Sequence, residues 1–258
     1  MEILEFATQL ARLAGECLVS HYQLDGIQAN LKADRTVVTE ADLAADRILR
    51  QAIEANFPED GLISEEANTI CPADKQAVWV IDPLDGSTNF SLGLHYWGVS
   101  IARLVNGRPD IAALYFPLLN ELFSAQRGQG AWLNGGRLHV QEWDPDQPAS
   151  FFACCSRTLR RYRVGLRFKA RILGSAAYDL CAVARGSAVL AFQSTPKIWD
   201  FAGSWLVTEE AGGLIGPLHG PQPFPLQPGR DYAQASFPLL VAPDQHLWQM
   251  GSQEIVPK

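Results

Sequence analysis

No run of apolar residues in this chain approaches the roughly 20 needed to span a bilayer, so the sequence predicts no membrane helix. Positive charge is also scarce: 21 lysines and arginines stand against 28 aspartates and glutamates, a formal net charge of −7. A dedicated nucleic-acid binder needs a basic face to meet phosphates, so no nucleic-acid partner is expected. Cysteines number five, an odd count with no C-x-x-C pair, and Cys154 and Cys155 are adjacent, a spacing ill suited to bridging each other. Buried free thiols in a reducing compartment are expected in preference to a disulfide or zinc role. The first residues carry Glu2, Glu5 and Glu16 among apolar neighbours and lack the basic start of a secretory signal, so a cytoplasmic location is expected. There is no G-K-[ST] phosphate loop, no G-x-S-x-G elbow and no H-E-x-x-H. The five histidines, His21, His95, His139, His219 and His246, show no ligand spacing and read as structural or surface residues.

What is present is ordinary globular material: 258 residues, 47% hydrophobic, 10% aromatic and 19% charged, enough for one large α/β domain or two closely packed halves. Residues 3–20 place Ile3, Phe6, Ala7, Leu10, Ala14, Cys17 and Leu18 at helical spacing. A second helix is predicted over about 40–56, with Thr39 as its N-cap and Asp42 as a short stand-in for the Glu of a capping box. The period then changes to strands: a buried one over 78–81 stopping at Asp82-Pro83, then 97–104 and 110–116 about a turn at 106–109, then 121–125. Residues 128–136 read as a glycine-rich loop. The polar stretch 143–148 is the best boundary between halves. Strands near 151–155, 168–173 and 188–192 and helices over about 176–185 and 199–211 follow, the last closed by Gly212-Gly213. Residues 217–228, with five of the 16 prolines, read as an irregular surface loop. Helices and strands mix throughout, which gives an α/β or α+β layered class.

Chemistry concentrates in Val80-Ile81-Asp82-Pro83-Leu84-Asp85-Gly86-Ser87-Thr88-Asn89-Phe90. A strand delivers Asp82 to its end, and after two intervening residues Asp85 returns beside it. Carboxylates crowded in this way repel unless a cation sits between them. Hard oxygen ligands suit magnesium, manganese or calcium. Gly86-Ser87-Thr88 then offers small residues, hydroxyls and the expected N-terminus of a short helix, a ready anion site. An Asx-turn and helix cap would account for the same residues without any ligand. Ser64-Glu65-Glu66 can supply a further carboxylate or be a solvated acidic turn. Asp200, after Trp199, can do likewise or merely complement a helix dipole.

Three segments together resemble the inositol monophosphatase family of metal-dependent, lithium-sensitive phosphatases: Ser64-Glu65-Glu66, Asp82-Pro83-Leu84-Asp85-Gly86-Ser87-Thr88-Asn89-Phe90, and Trp199-Asp200 through Glu210-Ala211-Gly212-Gly213. The similarity runs in order over nearly the whole chain. It implies a layered αβαβα sugar-phosphatase fold, like that of fructose 1,6-bisphosphatase. The chain would be one such domain over 1–258, with halves of about 1–145 and 149–258. It further implies that Glu65, Asp82, Asp85 and Asp200 are side-chain ligands of two or three magnesium ions, with the Leu84 carbonyl added. Manganese would substitute and lithium would inhibit. Ser87 stands where the family usually has threonine, and Asp42 matches the acidic partner that helps such a hydroxyl activate water; Glu65 bridges toward the water side. Substrate contacts fall on Leu84, Asp85, Gly86, Ser87, Gly174, Ser175, Ala176, Gln193 and Asp200.

The activity implied is hydrolysis of a small polyol or sugar phosphate, such as inositol 1-phosphate, by metal-activated water. Alternatives carried by the same resemblance are fructose 1,6-bisphosphatase, histidinol-phosphate phosphatase, 3′,5′-bisphosphate nucleotide phosphatase and a non-catalytic regulatory partner protein. The nucleotide enzymes usually follow D-P-L-D-G with Thr-Lys-Glu-Phe, where this chain has Ser-Thr-Asn-Phe. Gln193 replaces the glutamate that binds a sugar hydroxyl in animal members, which removes a charge-assisted bond. Seven of the 21 basic residues (Arg157, Arg160, Arg161, Arg163, Arg167, Lys169 and Arg171) lie between 152 and 173. They are either a solvated face or a strip that attracts an anion. A homodimer is the expected assembly.

Overall fold

A computed structural model describes residues 2–31, 37–141, 143–144 and 150–258. The amphipathic helix expected over 3–20 is Ile3–His21, burying Phe6, Leu10, Ala14 and Leu18. The second is Glu40–Asn56. Thr39 caps it as the sequence predicts: its side chain accepts from the Asp42 N–H while the Asp42 carboxylate accepts from the Thr39 N–H. These two helices cover one face of a seven-stranded sheet in the order Gly61–Ser64, Ala77–Asp85, Gly98–Val105, Arg108–Phe116, Glu121–Gln126, Gly130–Leu133, Gly136–Leu138. The first pair is parallel and the others antiparallel.

Alternation along Ala77–Asp85 builds two cores at once. Trp79 and Ile81 pack toward the first two helices, with Phe6, Leu10, Leu49 and Ile53. Val78 and Val80 point the other way, onto Phe201, Ala202 and Trp205 of helix Ile198–Glu210. A strand buried on both faces reads as one continuous apolar run, as this one does. Helices Ala176–Ala184 and Ile198–Glu210 form the middle layer. Beyond them lies a five-stranded sheet in the order Lys169–Arg171, Phe151–Cys154, Leu190–Gln193, Leu239–Ala242, Leu214–Pro217. Its outer face packs against helix Gln245–Glu254 through Leu247, Phe192 and Leu240. Five layers result, helix, sheet, helix, sheet, helix, the αβαβα order that the resemblance implies.

Several expectations need correction. The strand predicted to stop at Asp82-Pro83 continues to Asp85: its ladder with Gly98–Val105 breaks between Asp82 and Asp85 and resumes at the Asp85–Gly98 pair. Pro83 has no N–H to donate, so the break is a bulge instead of an end. Arg108 and Pro109, placed in a turn by the sequence, belong to a strand. The turn is Asn106-Gly107 alone, both with positive φ (51° and 72°), the two-residue geometry that suits a hairpin. The loop expected over 128–136 contains two further strands joined by a second Asn-Gly turn at Asn134-Gly135. Pro217 ends strand Leu214–Pro217, and residues 218–228 are irregular as expected, but Phe224 and Leu226 are buried against Phe201 and Trp205, so the segment covers the core. The half boundary expected within 143–148 falls largely outside the described residues.

Candidate active site

The bulge in strand Ala77–Asp85 turns Asp82, Leu84 and Asp85 into one cavity of about 580 Å³. Glu65 enters from the turn after strand Gly61–Ser64, which runs parallel to Ala77–Asp85 so that Ser64 pairs with Ile81. Ser64 is itself anchored, donating its hydroxyl to Asp46 of helix Glu40–Asn56, which Arg50 also holds at 2.6 Å. Asp200 arrives from the first turn of Ile198–Glu210, where its carboxylate accepts the Lys197 N–H at 2.8 Å. The helix-start role and the place in the cavity therefore coexist in one side chain. Oxygens of Glu65, Asp82 and Asp200 all lie within 4.8 Å of one another.

Electrostatics make this arrangement expensive as it stands. Burial, then the neighbouring charges of Glu65, Asp85 and Asp200, push the Asp82 carboxyl well above the usual carboxylate range; only the Leu84 N–H opposes them. Asp200 is raised likewise, by burial and then by Asp85 and Glu65, with Lys197 the one opposing cation. An all-oxygen set of this kind fits a hard divalent cation such as magnesium or manganese, whose charge relieves the repulsion. Asp85 stands apart from the three. Its carboxylate accepts the Ser175 hydroxyl and the N–H groups of Ala176 (3.1 Å) and Ala177 (3.0 Å), at the start of helix Ala176–Ala184. Burial still raises it to about 6, those hydrogen bonds holding it down.

Gly86 follows with φ 93°, and a Cβ there would meet the Tyr96 carbonyl at 2.8 Å. That close approach lets the chain reverse and begin the short helix Ser87–Ser91. The Ser87 hydroxyl lies 3.1 Å from an Asp42 carboxylate oxygen and 2.9 Å from the Leu84 carbonyl. Asp42 is 1% exposed and its other oxygen accepts from the Thr39 N–H and hydroxyl, so it is locked behind Ser87.

The structure brings the sequence-predicted residues together: Glu65, Asp82, Leu84, Asp85, Gly86, Ser87, Gly174, Ser175, Ala176, Gln193 and Asp200 line this one cavity, with Asp42 just behind it. The basic segment divides. Arg157 and Arg160 line the cavity; Arg161, Arg163, Arg167, Lys169 and Arg171 are exposed and lie outside its lining. Two residues went unread. Asn89 donates to the carbonyls of Tyr96 (2.6 Å) and Leu173 (2.7 Å), which fastens the motif to Gly174. Asp179, buried and raised by desolvation, accepts from Gln193 at 2.7 Å. The signal for Asp179 was a lone carboxylate in the apolar helix Ala176–Ala184, since such a group is rarely buried without a role. Nothing in the sequence marks Asn89 beyond its place in the motif. All five cysteines are free; Cys71, Cys154 and Cys181 are buried as expected, while Cys17 and Cys155 are only partly so.

A profile described as "Inositol monophosphatase family" matches residues 1–247. The chain belongs to the inositol monophosphatase family. Among curated relatives, Nus factor SuhB of Escherichia coli strain K12 is 36% identical over 229 residues, covering 84% of this chain and 86% of that protein. Nus factor SuhB of Vibrio cholerae is 32% identical and covers 98% of each. Among solved structures, the extragenic suppressor protein suhB of Bartonella henselae superposes with a TM-score of 0.82 at 27% identity, covering 98% of this chain and 97% of that one. The Thermotoga maritima IMPase gives 0.81 at 25%, covering 98% and 96%. The layered fold of this family member is thus the family's own.

Proposed function

We propose that the chain is a magnesium-dependent phosphomonoesterase acting on a small polyol or sugar phosphate through an activated water. The observation that carries this reading is the convergence of Glu65, Asp82 and Asp200 in the same cavity as the Ser87–Asp42 pair. Glu65, Asp82 and Asp200, with Asp85 and the Leu84 carbonyl, would hold the metal. Bound there, it would supply Lewis acidity for charge developing on phosphoryl and leaving oxygens and lower the pKa of a coordinated water.

The chain's own groups do the rest. Ser87 has one proton and two acceptors for it, Asp42 and the Leu84 carbonyl, so its oxygen lone pairs face a donor such as water. As water loses its proton to the Ser87–Asp42 pair, the buried Asp42 gains it; Thr39 keeps that carboxylate in place throughout. Asp85 and the Gly86 turn position the phosphoryl group by fixing the backbone around Ser87. Gln193 and the segment Gly174-Ser175-Ala176 form the wall against the organic part of the substrate.

Phosphate release tests the reading. A panel of inositol 1-phosphate, glycerol 2-phosphate, fructose 1,6-bisphosphate, histidinol phosphate and adenosine 3′,5′-bisphosphate is assayed with magnesium and then with EDTA. Magnesium-dependent release led by one compound supports it; no release from any member of the panel contradicts it. Lithium is expected to inhibit and manganese to replace magnesium.

A second reading rests on the relatives that bear the name Nus factor, whose 36% identity extends over most of the chain. A binding role would use the outer surface, so Asp82→Asn would abolish phosphate release and leave partner capture intact. We also infer a homodimer, which sedimentation at micromolar concentration would detect. No helix among the described residues is long and apolar enough to cross a membrane.

A further inference from the structure

The cavity carries charge of both signs. Its acidic cluster is Glu65, Asp82 and Asp200, and Arg157 and Arg160 line the same space. The two arginines are three residues apart on helix Ser156–Arg161, so they share one face. Both are exposed, and among the described residues neither pairs with a carboxylate; Arg157 makes only a 3.2 Å hydrogen bond to the Thr195 hydroxyl, also in the lining. Gln193 is uncharged, and Asp179 is buried and accepts the Gln193 amide at 2.7 Å. Two unpaired guanidinium groups on one wall of a binding cavity are well shaped for a phosphate or carboxylate, which they can grip through several N–H donors at once. A cavity of about 580 Å³ has room for a small molecule with two charged groups.

We propose that Arg157 and Arg160 form a subsite for a second anionic group, so that the preferred substrate is a phosphate monoester whose leaving portion itself carries a phosphate or carboxylate. This rests on reading the acidic cluster as the phosphomonoesterase centre and narrows its substrate class away from neutral polyols. General steering by the basic segment would be a different effect, because Arg161, Arg163, Arg167, Lys169 and Arg171 would share in it. Arg161, on the same helix but outside the lining, is therefore the control.

The test compares fructose 1,6-bisphosphate, 3-phosphoglycerate and glycerol 2-phosphate on wild type, Arg157→Gln, Arg160→Gln and Arg161→Gln, with melting curves to show that each variant folds. Loss of a charge-assisted contact predicts a KM for fructose 1,6-bisphosphate raised about tenfold in the first two variants, with kcat little changed. Glycerol 2-phosphate should respond to none of the variants, and Arg161→Gln should resemble wild type on every substrate. A matching rise for 3-phosphoglycerate identifies a subsite for anions generally; a rise for the bisphosphate alone identifies one for phosphate. Equal effects on bisphosphate and glycerol 2-phosphate, or no effect on either, overturn the proposal. If wild type releases phosphate from none of them, the phosphatase reading fails, and calorimetric binding of fructose 1,6-bisphosphate then decides the subsite. Binding lost in Arg157→Gln and Arg160→Gln keeps it, and binding absent or unchanged removes it.

Discussion

Ser87 is held between fixed neighbours, and the proposed chemistry rests on that placement. Its hydroxyl has Asp42 on one side and the Leu84 carbonyl on the other, and Thr39 prevents Asp42 from turning away. Removing that hydroxyl with Ser87→Ala should lower kcat by about 10²-fold or more, the usual yield of a positioned proton acceptor. Ser87→Thr keeps the hydroxyl and should stay within a few-fold of wild type, so a threonine variant as slow as the alanine one would count against a role for the oxygen. Gly86 is constrained differently. Gly86→Ala puts a methyl group 2.8 Å from the Tyr96 carbonyl in a backbone region that side chains disfavour. Loss of activity together with a lowered melting temperature is expected; an unchanged melting curve would show that the turn tolerates a Cβ.

Elements act as carriers. Strand Ala77–Asp85 is buried at every position, so its exit point is set by two cores at once. Trp79→Ala should cost about 3–5 kcal/mol by leaving a cavity between sheet and helices, read from chemical denaturation. The capping box on Glu40–Asn56 links stability to chemistry, because Asp42 both caps the helix and faces Ser87. Thr39→Ala should lose about 1 kcal/mol of stability and also slow turnover. Turnover unchanged by that substitution would show that Asp42 keeps its place unaided. At this scale the sequence was most legible where one physical rule acted alone: helical spacing in 3–20, the S/T-x-x-D cap at Thr39, and the Gly-Gly stop after Ile198–Glu210. It was least legible where tertiary pairing overrode a local signal. Pro83 reads as a strand end, yet a bulge carries the ladder past it. Glycines at 128–136 read as loop, although Asn134-Gly135 is a hairpin turn. The resemblance makes Asp85 a candidate ligand, and only the folded chain shows it accepting hydrogen bonds at the start of helix Ala176–Ala184, ninety residues away. Strand Leu239–Ala242 and helix Gln245–Glu254 carry no chemical motif and acquire meaning only through the sheet they complete.

For the whole molecule, the site trades stability for charge density. Asp85 is raised from 3.8 to about 6, and Asp82, Asp179 and Asp200 are also raised well above the usual carboxylate range, all chiefly by burial. Between the two Asp85 values the native state binds more protons than the unfolded state, so stability falls as pH rises through that window. Each such group contributes fully below its unfolded value and loses its contribution as pH passes its folded one. In EDTA the protein should therefore gain melting temperature as pH drops from 7 to about 5.5, until other groups begin to titrate. Magnesium should flatten that dependence and raise the melting temperature at pH 7. At 100 times its dissociation constant a ligand of the native state adds about 2.7 kcal/mol. A pH profile identical with and without magnesium would mean that the carboxylate cluster binds no cation.

The most direct check is phosphate release from the best substrate of the panel, measured side by side for wild type and Asp82→Asn in magnesium and in EDTA. Release by wild type in magnesium alone is expected, with a loss of several orders of magnitude in the variant, which stays folded because the substitution removes a buried charge. Near-wild-type turnover by Asp82→Asn, or release that persists undiminished in EDTA, would contradict the proposed function.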